Sequence, residues 1–522
     1  MKILFISLHR KYYSSNAISR QYWIFLILAY VVYLLVKYRD RAIGTRTKGR
    51  RLRGPRGLPL LGNTMTGLMN ERRYYDLLQD ENNLYGPTYS VTLPFMRIVF
   101  ISDFENLEHV LKTNFQNYTK KDLFYSRLSP LFGDGILIID GAHWKLQRKT
   151  ALTIFNVRAF REMITGIFRE GSAHVAQLLE DAADNQRDID LHDLFLRFTL
   201  DTFGKISFSI DFNLLENPAE PAPFPTAFDY LQHKLEHRFR NPLYLITEFF
   251  SGSWWKMREA MKVIDNFIYD MIAERRGNRS SPREKKDLLD MFLDYRDEEG
   301  QALDKKELRD IMVNFLVAGR DTTAQQLSWQ YLAIMQHPAI QQKMREEILQ
   351  FDPDQIDYDT LRSLHYCNSV FNETLRLYPS VPKNGRFAVE DDLLPDGTEI
   401  KKGDVIAYSS YVIGRLQKLW GDDAMQFKPE RWLERDEGGN VKGVRRESPF
   451  KFPVFSAGPR ICLGMNFATL ESLTLTTQLL SRFEFELSPR FLEQESKSSH
   501  PLYGVSITFP FDRPLWVRVK RC

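Results

Sequence analysis

One long helical stretch near the middle of the 522-residue chain constrains the fold more than any other feature. Asp304 followed by Glu307 resembles a capping box, with aspartate in place of the usual serine or threonine, and Pro338 marks the far end. About thirty residues of nearly continuous helical pattern lie between them. Because a mean helix has only about 11–12 residues, this stretch predicts a helix that crosses a whole domain.

The segment AGRDTT, residues 318–323, lies in the middle of that stretch. Gly319 costs about 1 kcal/mol relative to alanine in a helix interior, and two adjacent threonines have weak helix propensity. We interpret this loss of helix stability as the cost of a groove that the function of the protein requires at this position. Taken alone, the segment also fits a helix kink with packed threonines.

A second constraint is the stretch FSAGPRICLG, residues 455–464, which precedes another helical pattern. The chain has three cysteines, Cys367, Cys462 and Cys522, and no CxxC pair, so neither a disulfide framework nor a zinc site is indicated. Cys462 is then either a core thiol or a thiolate held for a metal.

The residues around Cys462 suit a thiolate that binds heme iron. Gly458 and Gly464 let the backbone turn tightly and approach the ring. A helix that starts just after the cysteine favours the charged sulfur. Phe455 can shield the sulfur from water, and Arg460 can pair with a heme propionate.

Two further motifs carry charged residues. Glu373 and Arg376, in NETLRLYP, are three apart and share a helix face. Alone, such a pair is usually a surface ion pair of little energetic value. Arg431, in the loop FKPERW, supplies another basic group.

The pattern Phe455-x-x-Gly458-x-Arg460-x-Cys462-x-Gly464 resembles the cysteine-ligand signature of the cytochromes P-450, the heme-thiolate monooxygenases. GAHWKLQR resembles the WxxxR helix of that family, and AGRDTT resembles its oxygen-binding groove. ETLR resembles its ExxR pair, and FKPERW resembles the loop that supplies a third member to the pair. The resemblance covers roughly residues 54–522.

The resemblance implies the cytochrome P-450 fold, heme b with its iron bound axially by Cys462, and electrons from NADPH through NADPH-cytochrome P-450 reductase. It implies that Asp321 and Thr322 act as an acid–alcohol pair in proton delivery. The implied structural triad is Glu373, Arg376 and Arg431. The implied cofactor-binding residues are Trp144, Arg148, Arg386, Phe455, Arg460, Cys462 and Gly464.

Longer stretches, among them LRLYPSVPKNGRFAVEDDLLPDGTEI and YSSYVIGRLQKLWGDDAMQFKPERW, resemble the membrane-bound long-chain fatty-acid omega-hydroxylases. That branch oxidises the terminal or near-terminal carbon of the chain. The alternatives are a monooxygenase of a sterol, terpenoid or other lipid, a heme-thiolate enzyme that rearranges peroxides, and a heme-binding protein without turnover. By family position the substrate pocket draws on Phe124, Tyr125, Asn314, Phe315, Ala318, Val381 and Tyr503.

The rest of the chain indicates a mainly α fold with small β-sheets. Residues 104 to about 350 have mostly helical patterns, and residues 87–102 alternate as a hairpin does. A net charge of only +4 argues against nucleic-acid binding. Hydrophobic residues make up 43% of the chain, which is enough for one large core. The family resemblance implies a hydrophobic small-molecule substrate.

The N-terminus predicts a membrane anchor. Residues 22–36 are uninterrupted apolar or aromatic, and a dense basic stretch follows, which the positive-inside rule assigns to the cytosol. We expect a lumenal segment over 1–21, a transmembrane anchor over 22–38, a basic and Pro/Gly-rich linker over 39–63, and the heme-thiolate monooxygenase domain over 64–522. The expected location is the endoplasmic reticulum membrane, single-pass, with the catalytic domain cytosolic. The alternative is a mitochondrial presequence, because the first acidic residue is Asp40.

Overall fold

The long helix expected in the middle of the chain runs from Lys305 to Gln336, 32 residues, in the computed structural model. Its first turn is capped reciprocally. The Glu307 N–H donates to the Asp304 carboxylate, and the Asp304 N–H donates to the Glu307 carboxylate, both at 2.8 Å. At 1.5 Å per residue the helix is about 48 Å long, so the predictions of a capping box and of a domain-crossing helix are confirmed.

The structure describes residues 22–33, 36, 52–58, 61–94, 96–153, 157–216, 222–241, 243–277, 286–296 and 300–522. Within 22–33 the chain is helical, and its side chains are almost all exposed. In the described part of the chain, no helix combines the length and apolarity that a membrane crossing needs. The expected lumenal segment, the end of the expected anchor and most of the expected linker lie outside the described residues.

Helices account for most of the described chain. From residue 64 onward they are α1 Thr64–Met69, α2 Tyr74–Tyr85, α3 Phe104–Glu108, α4 Lys121–Phe132, α5 Gly141–Leu152, α6 Val157–Met163, α7 Arg169–Asp184, α8 Leu191–Phe208, α9 Pro223–His237, α10 Tyr244–Phe250, α11 Ser253–Gly277, α12 Leu288–Asp294, α13 Lys305–Gln336, α14 Pro338–Ile348, α15 Tyr358–Ser363, α16 His365–Leu377, α17 Ser410–Ile413, α18 Gln417–Trp420, α19 Met465–Leu480 and α20 Pro489–Lys497.

The strands are short. They are β1 Thr88–Leu93, β2 Met96–Ile101, β3 Tyr118–Thr119, β4 Ile189–Asp190, β5 Asn384–Ala388, β6 Asp392–Leu393, β7 Glu399–Ile400, β8 Val405–Tyr408, β9 Leu433–Arg435, β10 Val441–Val444, β11 Phe483–Leu487 and β12 Trp516–Arg521. Strands β1 and β2 pair antiparallel, with Thr88 opposite Ile101, which confirms the predicted hairpin. The fold is therefore mainly helical with small sheets, as expected.

Helix α13 forms the axis of the core. It contacts α8, α11, α16 and α19, and nearly all of its side chains from Leu308 to Met335 are buried. Such a helix has no solvent-facing stripe, because neighbours cover it on all sides. The helix is continuous through residues 318–323, so a break at Gly319 does not occur.

The largest sheet has five strands in the order β1-β2-β8-β5-β3. Strand β2 runs parallel to β8, and β8 pairs antiparallel with β5, with Arg386 opposite Ile406. Strand β5 therefore lies inside the sheet, between β8 and β3, and carries Arg386 into a buried position.

Candidate active site

A cavity of about 470 Å³ lies among α13, the five-stranded sheet and the loop that contains Cys462. Its wall is mainly apolar, which suits a hydrophobic ligand. Cys462 and Thr322 both line it, although 140 residues separate them in the sequence. The cysteine loop and the AGRDTT segment therefore line the same cavity.

The conformation of the cysteine loop depends on Gly458. Its φ is +65°, and a Cβ there would lie 2.0 Å from the carbonyl oxygen of Leu111. Only glycine accepts both conditions without strain. The Cys462 N–H donates to the Phe455 carbonyl at 2.8 Å, which closes the loop just before α19 begins at Met465.

The environment of the Cys462 sulfur suits a metal ligand. Cys462 is exposed to the cavity, but the surrounding protein keeps the thiol from bulk water, and this desolvation raises its pKa, whereas the Gly464 N–H and the charge of Arg148 lower it. A Cβ at Gly464 would lie 3.9 Å from the sulfur, which is ordinary contact, so this glycine crowds nothing. A thiolate that faces a mainly apolar cavity needs a cation in that cavity, and an iron ion supplies one.

A cluster of cations lies beside the cysteine loop. Lys120, Arg148 and Arg460 line the cavity, and Arg386 is buried next to them. Burial lowers the pKa of Lys120 well below its usual range, and the charges of Arg386 and Arg460 lower it further. Burial also lowers the pKa of Arg460 to about 10, although Asp140 opposes the shift.

This cluster has more donors than partners. Arg460 forms an ion pair with Asp140 at 2.5 Å and donates to the Ile139 carbonyl at 2.6 Å, but its buried Nε has no hydrogen-bond partner among the described residues. The Nε of Arg386 is also buried and unpartnered there. Unpaired buried donors are costly, so the cluster needs an anionic ligand. Two carboxylates, such as the propionates of a heme, fit that need.

Trp144 supports the cluster from α5. The Arg460 guanidinium stands 4.4 Å from the Trp144 ring centroid, and the Arg148 guanidinium stands 5.8 Å from it. The ring therefore holds two of the cations in place through cation–π contact. The donor set of one thiol, several buried cations and an aromatic ring thus fits a heme.

Glu373, on α16, is the centre of a largely buried ion network. Arg376 donates to both of its carboxylate oxygens, at 2.7 and 2.8 Å, and Arg431 donates to one of them at 3.0 Å. The Trp432 indole N–H donates at 2.9 Å and the Lys428 N–H at 2.8 Å. The structure thus brings together the three residues predicted as a triad.

Arg376 extends this network to the backbone. It donates to the carbonyls of Gly414, Ala424 and Gln426. A Cβ at Gly414 would lie 1.9 Å from the Arg376 carbonyl oxygen, so the two segments are in close contact. The network therefore ties α16 to the region between α17 and the cysteine loop.

Asp321 and Thr322 point in different directions from α13. Thr322 lines the cavity, and its hydroxyl donates to the Ala318 carbonyl at 2.8 Å. The Asp321 carboxylate is buried away from the cavity, where it accepts from Gln232 at 2.6 Å and from Arg320 at 3.0 Å. Burial raises the pKa of Asp321 to about 6, and Arg320 opposes the rise.

The carboxylate of Asp321 is linked to the surface through charged side chains. Arg320 pairs with Asp229 at 2.5 Å, and the side chain of Asp229 is 52% exposed. A buried acid with a pKa near neutrality can hold and release a proton, whereas Arg320 stays protonated and fixes the position of the carboxylate.

Comparison with known proteins agrees with this geometry. The family model for cytochrome P450 matches residues 52–507. The chain is 39% identical to cytochrome P450 monooxygenase cyp1 of Mycosarcoma maydis, over 94% of this chain and 79% of the relative. It is 37% identical to cytochrome P450 704C1 of Pinus taeda, over 82% of this chain and 86% of the relative, and 35% identical to cytochrome P450 704B1 of Arabidopsis thaliana, over 84% and 90%.

The chain belongs to the cytochrome P450 family. This P450 is accordingly a heme-thiolate monooxygenase that uses reductase-supplied electrons, and the predicted family and cofactor are confirmed. When bound, the heme with its thiolate ligand supplies the activation of O2 and the transfer of one oxygen atom to the substrate.

Most of the residues expected in the substrate pocket of this P450 line the cavity. Tyr125 and Tyr503 do not: Tyr125 packs against the main hydrophobic core, and the Tyr503 hydroxyl donates to Asp76 at 2.8 Å. The expected residues that line the cavity are Phe124, Phe315, Ala318 and Val381.

Asn314 also lies outside the cavity lining, because its side chain fastens a loop to α13. Its amide group donates to the Phe132 carbonyl at 2.8 Å and accepts from the Leu137 N–H at 3.1 Å. A Cβ at Gly135 would lie 1.8 Å from the Asn314 side chain, so the loop crosses directly over it. The side chain holds the segment after α4 in position instead of contacting a ligand.

Gly319 serves packing as well as the cavity. It lines the cavity, and a Cβ there would lie 2.1 Å from the Phe203 ring on α8. The absent side chain therefore lets α8 approach α13, a reason that the sequence alone does not contain.

Replacing Gly319 by alanine is expected to destabilise the fold by about 1–3 kcal/mol, because an added methyl group overpacks this contact. The matched control is Gly166→Ala, where a Cβ meets nothing within 4 Å in a short helical segment. The unfolding temperatures of the two variants are measured with heme bound, and the Gly319 variant is expected to unfold at the lower temperature. Equal unfolding temperatures for both variants would show that the Phe203 ring moves aside freely.

Two residues near the site were missed by sequence reasoning. Lys120 joins the cation cluster, and Gln232 reaches Asp321 from α9. A lysine near a helix start ordinarily faces solvent, and a glutamine on an amphipathic helix carries no local signal.

Proposed function

We propose that this P450 hydroxylates the terminal or near-terminal carbon of long-chain fatty acids, with O2 and electrons from NADPH through NADPH-cytochrome P-450 reductase. The observation that supports this most is the mainly apolar cavity that Cys462 and Thr322 share. Its aromatic and aliphatic wall, which includes Phe124, Leu128 and Phe315, suits an alkyl chain. The sequence resemblance to fatty-acid omega-hydroxylases supports the same substrate class.

In this proposal each residue of the site has one task. Cys462 binds the iron, and Phe455 and Gly464 shape the loop around the sulfur. Asp321, whose carboxylate lies beside Gln232, holds a proton in reserve, and the Thr322 hydroxyl is the donor in the cavity. The residues that hold the propionates are Lys120, Trp144, Arg148, Arg386 and Arg460.

Thr322→Ala is expected to consume NADPH with release of hydrogen peroxide and to lower the fraction of NADPH that ends in product about tenfold or more. The reason is that a positioned proton donor contributes about 10²–10⁴-fold to such a step. NADPH consumption, peroxide and product are measured together. Thr322→Ser is the matched control because it keeps the hydroxyl, and unchanged coupling in the alanine variant would contradict the role.

We further propose that the enzyme lies on the endoplasmic reticulum membrane with the catalytic domain in the cytosol. An apolar surface patch supports this: Leu243, Leu245, Ile246, Phe249 and Phe250 around α10 are all more than half exposed. Exposed apolar patches of this kind mark contact with membranes or proteins. The continuous apolar stretch from residue 22 supports the same location.

The function is tested by turnover. The full chain is expressed in microsomes with a reductase and NADPH, offered fatty acids, sterols and terpenoids, and the products are examined by mass spectrometry for one added oxygen. Hydroxylation at or near the end of a fatty acid supports the proposal. Oxidation of another lipid alone keeps the chemistry and overturns the substrate. If a reducible, CO-binding enzyme forms no product, lipid hydroperoxides are offered next.

A further inference from the structure

A second charged cluster lines the same cavity, apart from the cysteine loop. It consists of Glu236 on the last turn of α9, Arg240 in the turn that follows, and Lys383 just before β5. We refer to these three residues as the distal cluster. Glu236 and Arg240 are buried, and the side chain of Lys383 is 23% exposed.

The distal cluster has two cations for one buried carboxylate. Lys383 Nζ lies 3.0 Å from one oxygen of Glu236, and Arg240 Nη2 lies 2.6 Å from the other. Burial alone would raise the pKa of Glu236, but Lys383 and Arg240 outweigh it and lower the pKa. Glu236 therefore carries one negative charge against two positive charges.

Arg240 keeps unused donors in this cluster. Its side chain is 5% exposed, and its Nε and Nη1 have no hydrogen-bond partner in the part of the chain that the structure describes. Glu71, which is 42% exposed, lies 3.3 Å from Nη1 but forms no hydrogen bond with it. An arginine edge that is buried, lies on a cavity wall and donates no hydrogen bond fits an incoming carboxylate, which would displace the long contact with the half-exposed Glu71.

The neighbouring Arg238 shows the contrast. It forms a two-pronged pair with Glu248, with both N–O distances at 2.8 Å, and donates to the Arg127 carbonyl at 3.1 Å. It does not line the cavity. The two arginines are only two residues apart, yet the Nε and both terminal nitrogens of Arg238 donate hydrogen bonds within the protein, whereas Nε and Nη1 of Arg240 do not.

The distal cluster is separated from the reacting end of the cavity. Glu236 follows Gln232, the partner of Asp321, by four residues of α9, about 6 Å along the helix axis. Lys383 precedes Arg386 by three residues of extended chain, about 10 Å. A carboxylate held at the distal cluster thus lies on a different part of the wall from the cations beside Cys462, and the apolar wall is left for its alkyl chain.

We propose that Arg240 and Lys383 bind the carboxylate of the substrate and so direct the far end of the chain to the iron. This proposal rests on the proposed function for its substrate class. The carboxylate takes the Nε and Nη1 edge of Arg240 and the remaining protons of Lys383, and Glu236 holds both cations in place. The site is thus a specificity determinant for acids over uncharged lipids of the same shape.

The test compares palmitate with palmitamide, an uncharged molecule of nearly the same size. Dissociation constants for the holoenzyme are measured by calorimetric titration. The wild type is expected to prefer palmitate, and Arg240→Gln and Lys383→Met are each expected to lower this preference about 10-fold to 100-fold, because each removes a charged hydrogen bond. Glu236→Gln is expected to raise the preference, since it removes the competing negative charge.

The matched control is Lys234→Met on α9, a cation that contacts the Tyr230 ring and does not line the cavity. It is expected to leave the preference unchanged. The ferrous-CO band verifies that each variant is folded. If one of the two variants, Arg240→Gln or Lys383→Met, does not bind heme, the other variant alone tests the proposal. An equal affinity of the wild type for palmitate and palmitamide overturns the proposal, as does a preference that survives both substitutions.

These outcomes separate the two proposals. A preference that depends on Arg240 and Lys383, without any hydroxylated fatty acid in the turnover assay, keeps the carboxylate site and overturns the proposed function. If fatty acids are hydroxylated but the preference for palmitate is unchanged in both variants, the proposed function is kept and the carboxylate site is overturned.

Discussion

Replacement of Cys462 by alanine is expected to abolish the thiolate spectrum and all monooxygenase turnover. Cys462 is the only cysteine on the cavity wall of the described chain, since Cys367 is buried in the core and Cys522 is at the C-terminus. No other thiol can therefore replace the missing ligand. The thiolate supplies the electron density that favours O–O cleavage, so heme that still binds through the cation cluster is expected to be inactive.

The measurement is the ferrous-CO difference spectrum together with product formation. Cys522→Ala is the matched control, because this cysteine is exposed and 60 residues from the loop. It is expected to keep both the band and the activity. An unchanged ferrous-CO Soret band in the Cys462 variant would contradict the ligand assignment.

Replacement of Glu373 by alanine is expected to have the largest effect on stability. The side chains of Glu373 and Arg376 are completely buried, and Arg431 is 11% exposed. Removing the carboxylate leaves two guanidinium groups and the Trp432 N–H without their common acceptor. Breaking a buried ion pair on one side costs about 3–5 kcal/mol, and the network here has two cations.

The consequence is expected in heme content as well as in unfolding temperature, because Arg376 also holds the Gly414, Ala424 and Gln426 carbonyls on the way to the cysteine loop. Thermal unfolding and the heme-to-protein ratio are both measured. The matched control is Glu493→Ala, which removes an exposed pair with Lys497 and is expected to change neither quantity. Normal heme content in the Glu373 variant would show that the network does not support the loop.

Arg376→Lys is a second test of the same network, and it is also expected to lower the unfolding temperature. Arg376 donates from three nitrogens to five acceptors, which a lysine ammonium cannot reach in the same planar arrangement. The charge is kept, so a loss of stability in this variant reports the geometry of the network.

The sequence alone determined those features whose cause is local. The capping box at Asp304 and Glu307, the helix it starts, the hairpin over 87–102 and the glycine-bounded cysteine loop are all specified by residues within a few positions of one another. Local hydrogen bonds and helical or strand periodicity leave a readable pattern in such segments. The cysteine loop and its companion motifs were sufficient for the family.

The tertiary structure decided which distant residues meet. Gln232 reaches Asp321 across 89 positions, and Arg460 reaches Asp140 across 320. It also separated Asn314, which holds a loop, from Phe315, which faces the cavity, although the two are neighbours in sequence. Arg238 and Arg240 are only two positions apart, yet Arg238 forms a two-pronged hydrogen-bonded pair with Glu248, whereas Nε and Nη1 of Arg240 donate no hydrogen bond in the described chain. The physical reason is that the partner of a buried charge depends on how whole elements pack, and no local pattern encodes that choice.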